Sequence, residues 1–363
     1  MRYVVQTSVH LSARSSLRST GFEADLIAPI VDANGWSASF WPMSSSSPGD
    51  DWDPRVRAAM ANVIQDAAAA EAIRAFNERD ISSLVLKGPT LRDWYPSDAA
   101  RRYVDVDLWV APEEHAAASE ALVALGFEVG IDEQGLPDWW QQHATSWSRG
   151  ADGAKIDLHR YLQGVPATPE AVWSLLWAQR EPFRVAGQET YRLSAPARAL
   201  HVALHCAYHG HDASGAVRHL EAVLEAVDTA TWEDAAALAA QLGAVDAFVS
   251  GIRLLPAGRQ LAEALALPPS RSVYLALQPA HAPLLALGFE RVASARGLRR
   301  LEILLRAVVP PPGFVRFWWP PAARNLPMLV LGYLYRPFWL MRRAPRGLRA
   351  WLAARREVRS AGR

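Results

Sequence analysis

Arg101-Arg102-Tyr103-Val104-Asp105-Val106-Asp107-Leu108-Trp109-Val110 reads as a β-strand that carries two carboxylates in its middle. Side chains two apart on a strand share a face. Val104, Val106, Leu108 and Val110 therefore form one apolar face, and Tyr103, Asp105, Asp107 and Trp109 form the other. Aspartate is a poor strand former, and two on one face repel each other, so the pair costs stability unless a cation or a cluster of donors offsets it. A bound divalent metal is such an offset.

The flanking sequence places this strand in a mixed array. Upstream, alanine-rich residues 54–78 are spaced for a helix, and residues 83–87 form a strand that stops at Gly88-Pro89. Residues 91–95 form a short helix ended by Pro96. Downstream, residues 113–125 are helical with Gly126 as C-cap, and residues 127–131 read as a strand. Residues 138–147 are aromatic-rich and ambiguous. Residues 155–161 alternate again, with Lys155, Asp157, His159 and Tyr161 on one face. A hairpin over 183–193 turns at Ala186-Gly187. Ser194-Ala195-Pro196 then opens a series of helices reaching about residue 308. The expected organisation is an irregular segment over 1–52, an α+β domain over 53–194, a helical domain over 195–308 and a basic, aromatic tail over 309–363.

The chain has 363 residues, half of them hydrophobic, and a formal charge of +1, so no specific nucleic-acid partner is expected. The charge is unevenly spread: residues 296–363 hold fifteen Arg and two Glu, which leaves a net −12 for the rest. Cys206 is the only cysteine, which excludes an intrachain disulfide and fits a reducing, cytoplasmic setting. The first residues lack a continuous apolar core of the kind that directs secretion. The apolar stretch 326–341 is short for a bilayer span and is interrupted by Arg336-Pro337, so no transmembrane helix is expected. Two lysines stand against thirty-six arginines. Both, Lys87 and Lys155, fall beside the acidic segments.

Three features follow one another: strand-Lys87-Gly88, strand-Asp105-x-Asp107 and strand-Asp157. The set resembles the nucleotidyltransferase superfamily of DNA polymerase β, and within it a family of uncharacterised bacterial nucleotidyltransferases. The matching residues are LVLKG at 84–88, WYP at 94–96, RRYVDVDLWV at 101–110 and IDLHRY at 156–161, with LHVALHCAYHG at 200–210 similar to that family's second half. The resemblance implies a polymerase β-like mixed sheet with helices, followed by a mostly helical domain. It implies Asp105, Asp107 and Asp157 as metal ligands and catalytic residues for Mg²⁺ or Mn²⁺. An NTP would donate a nucleoside monophosphate to a hydroxyl of a small molecule, peptide or protein.

Paired Mg²⁺ ions about 3.5–4 Å apart can stabilise both the attacking and the leaving oxygen of an in-line displacement, and Mg²⁺ prefers oxygen ligands. Gly88 allows a backbone amide close to phosphate, Lys87 offers a point charge, and Arg101 or Arg102 a bidentate clamp. The chain departs from polymerase-like enzymes where Lys87-Gly88 replaces the usual Gly-Ser, and Trp109 stands in place of a leucine.

His201, His205 and His209 are stacked on one helix face. A structural role, a role facing the nucleotide site and zinc binding are three readings of them, the last weakened by Val202 at the position of the usual glutamate. His159 and Tyr161 read as packing residues. No Walker loop, G-x-G-x-x-G fingerprint or Gly-x-Ser-x-Gly elbow occurs. The tail interleaves Arg with Trp318, Trp319, Trp339 and Trp351, which suits a packed cap, an acidic partner, single-stranded nucleic acid or peripheral contact with a membrane. A catalytically idle partner-binding module, or a related phosphoryl or glycosyl-phosphate transferase, are the alternative functions.

Overall fold

The computed structural model describes residues 53–96, 101–130, 143–209, 214–278 and 282–361. The chain divides into two units, residues 1–43 and 44–363. The irregular segment expected over 1–52 lies outside the described residues, as does part of the ambiguous stretch 138–147.

Helix α1 (Pro54–Asn77) begins where the Asp53 side chain accepts from the Arg55 N–H and proline occupies the first turn. It precedes β1 (Ser83–Val85), a 3₁₀ turn over Gly88–Trp94, and β2 (Val106–Val110). Next come α2 (His115–Ala124), β3 (Glu128–Val129), β4 (Ala144–Arg149), β5 (Ala154–His159), α3 (Pro169–Ala178), β6 (Glu181–Val185) and β7 (Gln188–Arg192). The seven strands form one mixed sheet in the order β3-β4-β5-β2-β1-β7-β6. β2 runs parallel to β5 and antiparallel to β1, while β1 runs parallel to β7. The expected hairpin joins β6 to β7 through Ala186 and Gly187, both with positive φ, the geometry of a two-residue turn that matches strand twist.

Strand alternation divides the core in two. Val85, Val106, Leu108, Ile156 and Leu158 face α1 and α2, where they meet Ile73, Phe76 and Leu122. Leu84, Leu86 and Trp109 face the other way, into a larger core shared with α3 and the helices that follow. Those helices are α4 (Ala195–His209), α5 (Ser214–Ala226), α6 (Thr229–Gln241), α7 (Val245–Ile252), α8 (Pro256–Ala264) and α9 (Val273–Leu277). α10 (Leu284–Ser294), α11 (Leu298–Val308), α12 (Pro312–Trp318) and α13 (Leu326–Ala361) complete the chain. The mixed sheet with helices and the helical C-terminal region thus match the expected fold class. Trp109 is a core residue: it is fully buried, its ring edge-on to Trp173 at 4.9 Å.

The opening stretch departs from simple alternation. Pairing starts only at Val106, so Asp105 lies just before the strand; Val104 is exposed, and Tyr103 is buried on the side of Val106 and Leu108. The cause lies in α1. Asn62 accepts from the Tyr103 N–H and donates to the Arg101 carbonyl, and Asp66 accepts from the Tyr103 hydroxyl. Side chains of a helix therefore take the hydrogen bonds that a neighbouring strand would have supplied. Helix α13 runs through Arg336-Pro337 without ending. Arg336 is buried, donates to the Ala307 carbonyl at 2.7 Å and lies over the rings of Phe314 and Trp318.

Candidate active site

The register of the central strands decides which side chains meet. Asp107 pairs with Asp157 across the parallel β2–β5 ladder, and Trp109 pairs with His159. The Leu86 N–H donates to the Asp107 carbonyl at 2.9 Å, which continues the β1–β2 pairing past the end of β1 and delivers Lys87 to the carboxylates. Lys87 Nζ is 2.9 Å from Asp107 Oδ1. The same oxygen accepts from His159 Nε2 at 2.9 Å. Asp107 and His159 are both buried, on the sheet face that α4 covers.

The three aspartates feel one another. Burial, and then the charges of Asp107 and Asp157, raise the Asp105 carboxyl to about 7. Asp157 is raised by burial and by Asp107, against a stabilising hydrogen bond from Ser146. Asp107 goes the other way. Burial disfavours its charge, but the Lys87 ammonium and the hydrogen bond from His159 outweigh that and hold it well below the usual carboxylate range. Lys87 is correspondingly raised, since the fields of Asp107, Asp105 and Asp157 overcome its burial.

Gly88 sits at φ +68°, a conformation that favours glycine, at the start of the 3₁₀ turn. Its carbonyl accepts from Arg101 Nη1 at 2.6 Å. The Arg101 guanidinium lies over Tyr95 and Tyr103, and its buried Nε and Nη2 have no hydrogen-bond partner among the described residues. Arg102 is exposed. The fold therefore brings together Asp105, Asp107, Asp157, Lys87, Gly88 and Arg101, and leaves Arg102 outward. Lys155 is exposed, yet its charge lowers the proton affinity of Asp105.

Histidines form the opposite wall. The His159 ring lies 5.2 Å from His143 and 6.2 Å from His201, and His205 lies 4.1 Å from His209. His219 of α5 shares a hydrogen bond with the Tyr95 hydroxyl through Nδ1. Burial, followed by the Lys87 charge, pushes His201 down to about 3 and lowers His205; burial and then Arg101 take His219 to about 3. Burial and then His159 lower His143. These imidazoles are thus neutral, which avoids setting more cations against Lys87. Six of the seven histidines among the described residues gather here. The i, i+4, i+8 spacing of His201, His205 and His209 signalled part of the wall. His159 was legible from its alternation with Asp157, although it reads as packing; nothing local marks His143 or His219.

Asp105, Asp107 and Asp157 offer only oxygen acceptors, and the proton affinities of Asp105 and Asp157 are raised first by burial and then by the neighbouring carboxylate charge. That donor chemistry fits a hard cation such as Mg²⁺. As they stand, no three His, Cys, Asp or Glu side chains among the described residues are close enough to hold one ion. One Asp107 oxygen is instead shared by Lys87 and His159.

Comparison with known proteins adds a family. A profile described as an uncharacterised nucleotidyltransferase matches residues 43–257. No curated protein matches the chain. Among solved structures, the antibiotic-resistance factor ANT(2'')-Ia is 13% identical, with 50% of this chain and 95% of that one covered at a TM-score of 0.35. The lincosamide antibiotic adenylyltransferase LnuA with bound lincomycin is 12% identical, with 43% and 93% covered at a TM-score of 0.30. A nucleotidyltransferase-like protein from Paracoccidioides brasiliensis is 12% identical, with 56% and 93% covered at 0.30. Likenesses this distant add nothing to the geometry above.

Proposed function

This chain belongs to the uncharacterised nucleotidyltransferase family, and from that premise we propose that it moves a nucleoside monophosphate from an NTP to a hydroxyl of a small molecule, peptide or protein. The observation that carries the reading is the clustering of Asp105, Asp107 and Asp157 beside Lys87 and Gly88 at the parallel β2–β5 pair. The acceptor oxygen bonds to the α-phosphorus, the bond from that phosphorus to the bridging oxygen breaks, and pyrophosphate leaves. The hydroxyl proton passes to Asp157, whose burial raises its affinity for it. Asp105 and Asp107, with Asp157, would hold Mg²⁺ or Mn²⁺. When bound, the divalent metal supplies positive charge to the phosphate oxygens. Lys87 and Arg101 are the candidate partners of the β- and γ-phosphates, and the Gly88 backbone is their close neighbour.

Incubation with Mg²⁺ or Mn²⁺, each NTP and a mixture of candidate acceptors should release pyrophosphate, and mass spectrometry of the acceptors identifies donor and product together. Asp105→Ala should abolish the release. Equal release by both proteins would remove the assignment. A second reading, a catalytically idle partner-binding module, is favoured by one observation: Lys87 already engages Asp107 where a metal would be required. It predicts no thermal stabilisation by Mg²⁺ together with any NTP. A related phosphoryl or glycosyl-phosphate transfer would use the same carboxylates and is separated by the mass added to the acceptor.

A further inference from the structure

Helix α11 carries Leu298, Leu301, Leu304, Leu305 and Val308 at the three- and four-residue spacing that gathers side chains on one helical face. A stripe of this kind normally serves a core. Here no residue of the helix is buried, and Leu298 is 86% and Leu305 58% exposed. The helix turns Ala307 toward α13, where the Ala307 carbonyl accepts from buried Arg336.

Helix α13 repeats the arrangement over a longer span. Its docking face is marked by glycines: a Cβ on Gly332 would lie 2.9 Å from Val315, and one on Gly347 2.8 Å from Leu285. Leu329 and Ala354 are buried in step with them. Away from that face, Leu326, Val330, Leu334, Phe338 and Met341 recur in steps of four and three, each at least 50% exposed. Leu348 and Leu352 continue the stripe. At 1.5 Å per residue, the run from Leu326 to Leu352 is about 39 Å long.

Residues 296–363 hold fifteen Arg and two Glu. Arg342, Arg346, Arg349 and Arg356 are exposed on α13, and the guanidinium groups of Arg343 and Arg355 each lie 4.7 Å above a tryptophan ring, Trp339 and Trp351. An apolar groove on another protein accounts for the leucines and leaves the arginines unexplained. A negatively charged bilayer surface accounts for both. From this combination we infer that α11 and α13 dock the protein on an anionic lipid surface, with the leucines and Phe338 entering the acyl boundary and the arginines remaining among the headgroup phosphates. Among the described residues no helix is long and apolar enough to cross a membrane. The docking is therefore interfacial.

Flotation of the full chain tests this, using vesicles of phosphatidylglycerol and phosphatidylcholine in equal parts and vesicles of phosphatidylcholine alone. Binding should be at least about tenfold stronger to the anionic vesicles and should weaken as salt shortens the Debye length. A variant combining Leu301→Gln, Leu305→Gln, Leu334→Gln and Met341→Gln alters only exposed side chains, so it should keep the wild-type thermal melt and lose the binding. Each of Arg346→Gln, Arg349→Gln and Arg356→Gln should weaken binding roughly fivefold, the equivalent of about 1 kcal/mol per basic side chain near an anionic leaflet. Four results would overturn the inference. The full chain fails to float with anionic vesicles; the leucine variant binds as well as wild type; the same leucines hold a dimer of this chain in sedimentation while vesicles are ignored; or binding appears only after residues 1–52 are removed, which would make that segment the natural cover.

Discussion

At the scale of single residues, Asp105 sets a measurable dependence on pH. Its carboxyl is raised from 3.8 to about 7 in the fold, so between those values the folded chain holds a proton that the unfolded chain has released. Folding stability then falls as pH rises across that window. Subtracting the unfolding midpoint of Asp105→Asn from that of the metal-free wild type should leave a curve that drops between about pH 4 and 7 and is level outside it. Asp107 has the opposite sign: its folded-state depression contributes stability above 3.8 that is lost on acidification. Lys87 is tied to that contribution. Lys87→Met leaves buried Asp107 with His159 as its remaining partner and should cost about 3 kcal/mol in denaturant unfolding. Lys87→Arg should restore only part of it, because the planar fork does not fit a site shaped for a compact ammonium. At Gly88 the penalty is conformational rather than steric. A Cβ there would find the Asp105 carbonyl at 3.6 Å, an ordinary contact, so Gly88→Ala should cost about 1–2 kcal/mol through its φ of +68°.

Between elements, backbone proximity governs what can change. A Cβ on Gly251 would lie 1.9 Å from the Ala203 carbonyl, so α7 and α4 touch main chain to main chain. Gly251→Ala must push them apart, with a loss of about 2–3 kcal/mol in chemical denaturation and some displacement of the histidine wall that α4 carries. The same scale explains what was readable beforehand. Period-two alternation marked β2 and β5, and with them the meeting of Asp107, Asp157 and His159, because a ladder fixes its partners once the strands are known. The start of β2 was not readable: Asn62 and Asp66, about forty residues upstream, capture Tyr103 and delay the pairing. His143 and His219 arrive from β4's approach and from α5, positions that only the packed structure brings beside Lys87.

For the molecule as a whole, binding energy should appear as stability. If the carboxylates hold Mg²⁺ with an NTP, ligand at a hundred times its Kd should add about 2.7 kcal/mol to unfolding, seen as a higher melting midpoint that Asp105→Ala abolishes. The helical expectation for residues 195–308 followed from alanine-rich periodicity, whereas the length of α13 was hidden by Pro337 and Pro345, which local rules treat as breaks. Buried Arg336 and the close approach at Gly332 and Gly347 dock that helix on both sides of Pro337. The scarcity of lysine has a practical result. Of the two lysine ammonium groups, Lys87 is sequestered in its ion pair and Lys155 is exposed on the strand that bears Asp157. Among the lysines, amine-directed labelling should therefore place a dye at Lys155 and spare Lys87, giving, once the α-amino group is blocked, a fluorescent reporter of site occupancy without an engineered cysteine.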